Sequence, residues 1–312
     1  MKKQIEAKDF AKKHGLRILI SIARAVLFIL LAFVVIYPFF TKITSMFMTS
    51  EDVYDLSVSY IPKHFTFDNV KKAAELLDIG KSFFLSLEFV AVVALLEMVS
   101  CTLVGYGIAR FKFKLATPLL IIAVVGLVLP PIILQIPLYT LFRNFRLFGL
   151  IPLINGGEGI SFINTQIPSI FLAATASGFR CGLYILIMRQ YYRTMPAELE
   201  EAAYIDGAGP FGAFVRIMVP SSVTMMITVF LFAFVWTWLD SDFVPSFMGE
   251  TEVLSNMVMG LNGQYTGGAA DEVTRNLIAY AGILFLIVPL LILYAFTQRF
   301  FVQSVERSGL VG

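Results

Sequence analysis

Six stretches of this chain read as membrane-crossing helices, and nothing else in the sequence restricts its fold so strongly. They are Ile18–Phe40, Phe83–Ile108, Leu115–Pro137, Pro168–Met188, Pro220–Leu239 and Leu277–Thr297. A helical span needs about 20 mostly apolar residues, at about 1.5 Å of rise each. Composition agrees. The residues AVILMFWYC make up 58% of the 312 and charged residues only 15%, where a soluble domain carries roughly 25% charged. A soluble globule cannot hide that much apolar surface, and a disordered chain would be polar. A net charge of +2 is too mild for a nucleic-acid binder. The two cysteines, Cys101 and Cys181, cannot make a disulfide framework. The expected fold class is therefore an all-α membrane protein with six transmembrane helices.

The first stretch is interrupted by Arg24, but Ala25–Phe40 is free of charge. It follows a basic tail and ends without a small-x-small cleavage site, so it reads as an anchor rather than a signal peptide. Charge then sets the orientation. With the N-terminus inside and Arg24 counted with its tail, the inner segments hold 15 Lys and Arg against 7 Asp and Glu. The outer segments hold 8 against 13. Basic residues accumulate on the cytoplasmic side of membrane proteins, so both termini are expected there.

The chain divides accordingly. Residues 1–17 form a cytoplasmic basic tail, 18–40 the first anchor helix and 41–81 an external loop. Residues 82–302 form a five-helix core with a long cytoplasmic loop at 189–219, and 303–312 a cytoplasmic tail. In the external loop, Val70, Ala73, Ala74 and Leu77 recur at helical spacing and predict a short helix within Asp68–Asp78. Pro130, Pro131 and Pro289 mark kinks inside spans.

The loop around 189–219 is the most informative. From Thr194 to Ser222 it reads TMPAELEEAAYIDGAGPFGAFVRIMVPSS. Thr194 suits an N-cap, Pro196 a first turn, and Glu198, Glu200 and Glu201 a helix start, where the dipole favours acids. Gly207 suits a left-handed helix end. Pro210 can open a second short helix, Phe211–Met218, and Pro220 marks entry into the fifth span. Leu199, Ala202, Ala203 and Asp206 share one helix face, with Glu201 opposite. Asp206 is expected to accept backbone N–H bonds in the turn after it. Spacing alone leaves a capped, solvated loop helix as open a reading as a docking helix.

The residue string goes further. Glu201-Ala202-Ala203, Gly207, and Ile217-Met218-Val219-Pro220 resemble the EAA loop of ABC importer permeases, with Val219 in place of the usual Leu. Phe65–Asn69, Gly105–Phe111, Ile136–Tyr139, Gly149-Leu150, Arg189–Tyr192 and Met195–Glu200 resemble the carbohydrate-uptake, maltose-transporter branch of these binding-protein-dependent inner-membrane components. The resemblance runs from about Tyr37 to Val302. The chain departs from it at Leu85, at Trp236–Asp242, in an apparent insertion at Asn155–Gln166 and in its tail, Ser304–Gly312.

The resemblance implies the type I importer fold in a bacterial inner membrane. It implies a heterodimer with a second, homologous permease, two ATPase subunits beneath, and an extracytoplasmic solute-binding protein that delivers a sugar or oligosaccharide. Glu201, Ala202, Ala203, Asp206 and Gly207 would form the element that couples to the ATPase. Glu201 would face a basic group there, and the alanines would allow a close fit.

No catalytic constellation, metal-ligand spacing or cofactor motif appears, and there is no phosphate-binding G-x-x-x-x-G-K-[ST] string, so ATP hydrolysis is expected on another chain. His14 and His64 read as surface residues, Cys101 and Cys181 as packing. A charge at the bilayer centre costs about 2.5–3.5 kcal/mol, so such groups face protein or a wet cavity. Glu97 and Arg180 lie in spans and are candidates for an interhelical charge pair, with a sugar-contact role as the other reading. Glu88, nine residues before Glu97, falls on the opposite face. Gln135, Tyr139, Tyr184 and Trp236 are conceivable solute contacts but have no stronger claim than the other polar and aromatic residues of the spans. The alternatives are a permease for a peptide or polyamine, an ion-coupled secondary transporter, which would show buried acids and inverted repeats without an EAA-type loop, and a membrane-embedded enzyme, for which clustered reactive residues are missing.

Overall fold

The computed structural model describes residues 2–146, 159–249, 251–264 and 272–309. Gly149-Leu150, the first part of the apparent insertion and the last three residues lie outside them. The described chain is almost wholly helical, with one isolated bridge between Phe145 and Ile160. Four helices are long and apolar enough to cross a membrane, or five if one bent pair is a single span. The chain divides into two compact units, residues 1–73 with 265–284 and residues 74–264 with 285–312.

In the first unit, α1 runs Lys2–Ser45, longer at both ends than the predicted anchor. Its apolar window within Arg17–Ser45 has no buried residue. Beyond it, α2 (Ser50–Tyr54) is capped by the Thr49 hydroxyl, which accepts from Asp52 N. The predicted external helix appears as α3, Asp68–Leu76. Its Asn69 is buried because the side-chain amide donates to both Met46 O and Met48 O at 2.9 Å. Buried Asp52 accepts from the His64 backbone N–H at 2.9 Å and lies 2.8 Å from the His64 ring. Lys42 donates to the Tyr280 hydroxyl at 2.6 Å.

In the second unit, α4 (Ile79–Arg110) is the central helix. It packs against α7 (Ile167–Ala174), α8 (Cys181–Thr194) and α11 (Val219–Trp238). Helices in a bilayer gain little from apolar burial alone, so small residues that admit close approach carry much of the packing. Gly105 is such a residue: a Cβ there would stand 2.7 Å from Met188 Cβ. Gly182 meets the backbone of α5 (Ala116–Val128), where a Cβ would stand 2.1 Å from Ala123 O. Ser100 ties α4 to α7 by donating to Ala173 O at 2.6 Å.

Two predicted spans are broken. Leu115–Pro137 becomes α5 and α6 (Pro131–Arg143), bent by 108°. Leu129 and Pro130 each precede a proline, which disfavours helical backbone, and both are extended, with ψ 127° and 133°. Pro168–Met188 becomes α7 and α8. After α7, Ala176 takes a left-handed φ of 54°, Ser177 N donates to Leu172 O at 2.8 Å and Ala176 N to Ala173 O at 3.2 Å. That Schellman closure usually has glycine in the left-handed place, so the sequence hides the stop.

After α11 come α12 (Phe243–Met248) and α13 (Leu254–Gln264), and the last helix, α14 (Glu272–Gly309), continues through Pro289. The Trp238 indole N–H donates to Leu286 O at 3.0 Å.

Candidate functional site

The segment that follows α8 ends up as a short helix held against the end of α4. Met195 precedes Pro196 and is extended, so α8 stops at Thr194 and α9 starts afresh as Glu198–Ile205. Thr194 is not its cap: the hydroxyl donates to Tyr191 O inside the last turn of α8. The N-cap of α9 is Ala197, with no side-chain cap bond, and three acids in the first turn suit the dipole there. Gly207 ends the helix at φ 82°. Ala208 N donates to Ala203 O at 2.9 Å and Gly207 N to Tyr204 O at 3.1 Å, a second Schellman closure. Backbone groups close this turn, so the expected Asp206 side-chain bonds are not needed and are not formed among the described residues.

Pro210 opens α10 (Pro210–Ala213) as its residue type suggests. The predicted helix to Met218 is instead a wide π turn, Phe214–Met218, in which Val219 N reaches back to Phe214 O. It leads directly into α11, with Pro220 in the first turn.

Which side of α9 faces out differs from the wheel. Glu200 and Ala203 are buried, at 8% and 4% exposure. Leu199, Glu201, Ala202, Tyr204, Asp206 and Gly207 are exposed, and so is Ile205 at 86%. Ala202 and Ala203 therefore do different things. Ala202 presents a small outer surface, while Ala203 lets α9 sit close to the chain beneath it. Phe211 and Val215, further on, add exposed apolar surface.

Glu200 was the residue least visible in the sequence, since its neighbours make it look like one more solvated acid. One carboxylate oxygen accepts from the Tyr106 hydroxyl at 2.8 Å. The other lies 3.5 Å from Arg110 Nε. Arg110 also donates to Met195 O at 2.8 Å. The Tyr106 ring lies 4.6 Å from Phe214, 5.4 Å from Tyr192 and 5.5 Å from Phe111, centroid to centroid. A usable signal existed: Tyr106 and Arg110 stand four apart at a helix end, on one face, opposite an acid-rich loop.

A second polar cluster lies where α4, the α7–α8 break and α11 meet. Glu97 is buried and Glu88 exposed, as their spacing predicts. Glu97, Ser169, Tyr184, Arg180, Thr237 and Asp240 share the lining of a cavity of about 50 Å³. The Glu97 carboxylate and the Arg180 guanidinium line this same cavity without forming an ion pair within 4 Å. Cys181 Sγ lies 3.6 Å from Glu97 Oε1, and the Arg180 guanidinium sits 4.7 Å above the Trp236 ring. Arg180 stands at the N-cap position of α8, at the break between α7 and α8, and makes no side-chain cap bond there. Arg180 and Trp236 also line a neighbouring cavity of about 280 Å³ beside the α5–α6 bend. Asp240 Oδ1 accepts from the N–H groups of Asp242, Phe243 and Val244, which starts the short helix Phe243–Met248. Gln135 donates to Ser246 and to Asp242 O. Among the described residues no group of three His, Cys, Asp or Glu could hold a metal ion.

Comparisons with known proteins match both the fold and the loop-bearing half. The family model of the binding-protein-dependent transport system inner membrane component matches residues 101–307. The chain is 27% identical over 276 residues to a probable ABC transporter permease protein, YurM, of Bacillus subtilis, covering 88% of this chain and 84% of that one. It is 26% identical over 282 residues to the diacetylchitobiose uptake system permease protein NgcG of Streptomyces coelicolor, covering 90% and 86%. It is 25% identical over 277 residues to the melibiose/raffinose/stachyose import permease protein MelC of Bacillus subtilis, covering 88% and 91%. A crystal structure of a bacterial ABC transporter involved in the import of the acidic polysaccharide alginate superposes with a TM-score of 0.69 over 91% of this chain and 96% of that one, at 15% identity, a likeness of fold.

Proposed function

The chain belongs to the family of binding-protein-dependent transport system inner membrane components, and from that premise we propose that it is the pore-forming subunit of an ATP-driven importer for a sugar or oligosaccharide. The relatives named for diacetylchitobiose and for melibiose, raffinose and stachyose support a saccharide over a peptide or polyamine. ATP hydrolysis belongs to separate ATPase subunits, and the chain itself is not an enzyme. A solute-binding protein hands over the sugar on the outer face, and a second, homologous permease completes the pore.

The observation that carries this reading is α9. A short helix with an exposed face of Leu199, Glu201, Ala202, Ile205 and Asp206 is fixed from behind by Glu200. Isolated exposed apolar residues are ordinary, but a rigid apolar face rimmed by acids is what a soluble partner can grip. Glu201, Ala202, Asp206 and Gly207 make the outer contact with the ATPase, and Ala203 makes the helix fit its seat.

The same reading places six spans in the membrane with both termini in the cytoplasm. α5 with α6 then forms the third span, and α7 with α8 the fourth. The segments 1–17, 18–40, 41–81, 82–302 and 303–312 keep the roles of tail, anchor, external loop, core and tail.

The test is co-purification from membranes. A tagged chain should bring down an ATPase and a second permease. Recovery of the chain alone, as for a secondary transporter, would contradict the proposal.

A further inference from the structure

We propose that Glu200, with Tyr106 and Arg110, is the joint that makes α4 follow the motion of α9. The inference rests on the reading of α9 as the ATPase-facing helix, and gives Glu200 a role beyond supporting that helix: passing its motion to α4.

Three observations carry it. First, Glu200 points away from the partner-facing side and is buried at 8% exposure. A buried carboxylate is costly unless it is bonded and paired, and here both oxygens look to one element, the end of α4. Secondly, α9 is tied to α4 at two points, since Arg110 also holds Met195 O, just before α9 begins. A single contact would allow α9 to pivot, whereas two fix its direction. Thirdly, Tyr106 is the point where four elements converge, because its ring meets Tyr192 of α8 and Phe214 of the π turn. The residue before it, Gly105, packs α4 closely against Met188 and Arg189 of α8.

The contrast lies on the other side of α9. Gly207 has open space around its Cβ position, and among the described residues the hydrogen bonds of the α9–α10 turn are between backbone groups. The Glu200 and Arg110 contacts thus pass a push on α9 directly to α4. α4 carries that push towards Val93 and Glu97, which line the membrane-depth cavity.

The test uses the full complex in vesicles, with ATP and vanadate as the probe. An environment-sensitive label is placed at Val92→Cys, an exposed position on α4. Glu200→Ala should reduce the nucleotide-driven change in label signal about tenfold, the factor expected for losing a charge-assisted buried bond. Glu200→Gln keeps an acceptor for Tyr106 and should restore the signal to within about threefold of wild type. Tyr106→Phe, which keeps the ring, should match Glu200→Gln. ATPase recovery, ATP hydrolysis and Tm should stay near wild type in Glu200→Gln and Tyr106→Phe, and in Glu200→Ala the label response should fall by a clearly larger factor than ATPase recovery.

A label response unchanged in Glu200→Ala overturns the joint. So does a response that falls only in step with Tm and ATPase recovery, because that marks a packing role. A wild-type chain that recruits no ATPase overturns the reading of α9, and the joint with it.

Discussion

The Tyr106 hydroxyl donates a 2.8 Å hydrogen bond to Glu200, a residue 94 positions further along the chain. That bond turns an acid-rich loop into a seated helix and decides which of its residues face outward. Glu201 and Ala202 are free to meet a partner because Glu200 and Ala203 are not.

The outward residues should therefore be separable from the seat. Glu201→Lys should abolish most ATPase co-purification while membrane insertion and Tm remain as in wild type. Pull-down and thermal melting of the same preparation check this. Normal ATPase recovery would remove Glu201 from the docking surface.

Gly207 is predicted to be needed for its backbone, not for space. A Cβ there meets nothing within 4 Å, but φ is 82°, a region that costs other residues roughly 1–2 kcal/mol. Gly207→Ala should lower stability of the loop by about 1 kcal/mol, and Gly207→Asn by less. Gly207→Pro cannot take this φ at all and should block assembly. Hydrogen exchange across Glu198–Gly209 reads the difference.

Glu97 should tolerate neutralisation. It touches no cation within ion-pair distance, so Glu97→Gln removes a desolvated charge without orphaning a partner. We expect an unchanged or higher Tm in detergent, with any loss below about 1 kcal/mol. Arg180→Gln should act independently of it, because Arg180 rests on Trp236 instead. A strong coupling between the two in a double-mutant cycle would restore the direct pair.

The segment holding α2 and α3 carries a pH dependence of definite sign. Burial pushes the Asp52 carboxyl up, but the His64 backbone N–H, the His64 ring and a bond involving Thr49 together hold it below the usual carboxylate range. A lowered folded-state pKa stabilises above the unfolded pKa, about 4 for Asp, and the benefit is lost as pH falls through and below that value. Proteolytic cutting between α2 and α3 should increase on acidification. Asp52→Asn should cut faster at neutral pH and show a weaker pH response.

Much of this was legible in the residues. Long apolar runs foretold α1, α4, α11 and α14. Gly207 foretold its helix end because left-handed backbone favours glycine, and Asp68–Asp78 foretold α3 by its period. What stayed hidden did so for physical reasons. The stop after α7 uses Ala176 in a place where glycine is usual, so no residue type announces it. The depth of the α5–α6 bend comes from two consecutive pre-proline positions, while Pro289 stays within α14. Thr194 had an equally good local partner in Tyr191 O, which spacing cannot weigh. Glu200 was missed because a wheel shows faces, not which face finds a hydroxyl from a distant helix.

ATP-driven saccharide import through this chain is tested by uptake into vesicles. Vesicles carrying the chain with its co-purified permease and ATPase are given the solute-binding protein and a panel of labelled oligosaccharides. At least one saccharide should accumulate in a manner that requires both internal ATP and the binding protein, and that is lost in Glu201→Lys. Accumulation driven by an ion gradient in the absence of ATP, or ATP-dependent uptake of peptides or polyamines alone, would contradict it.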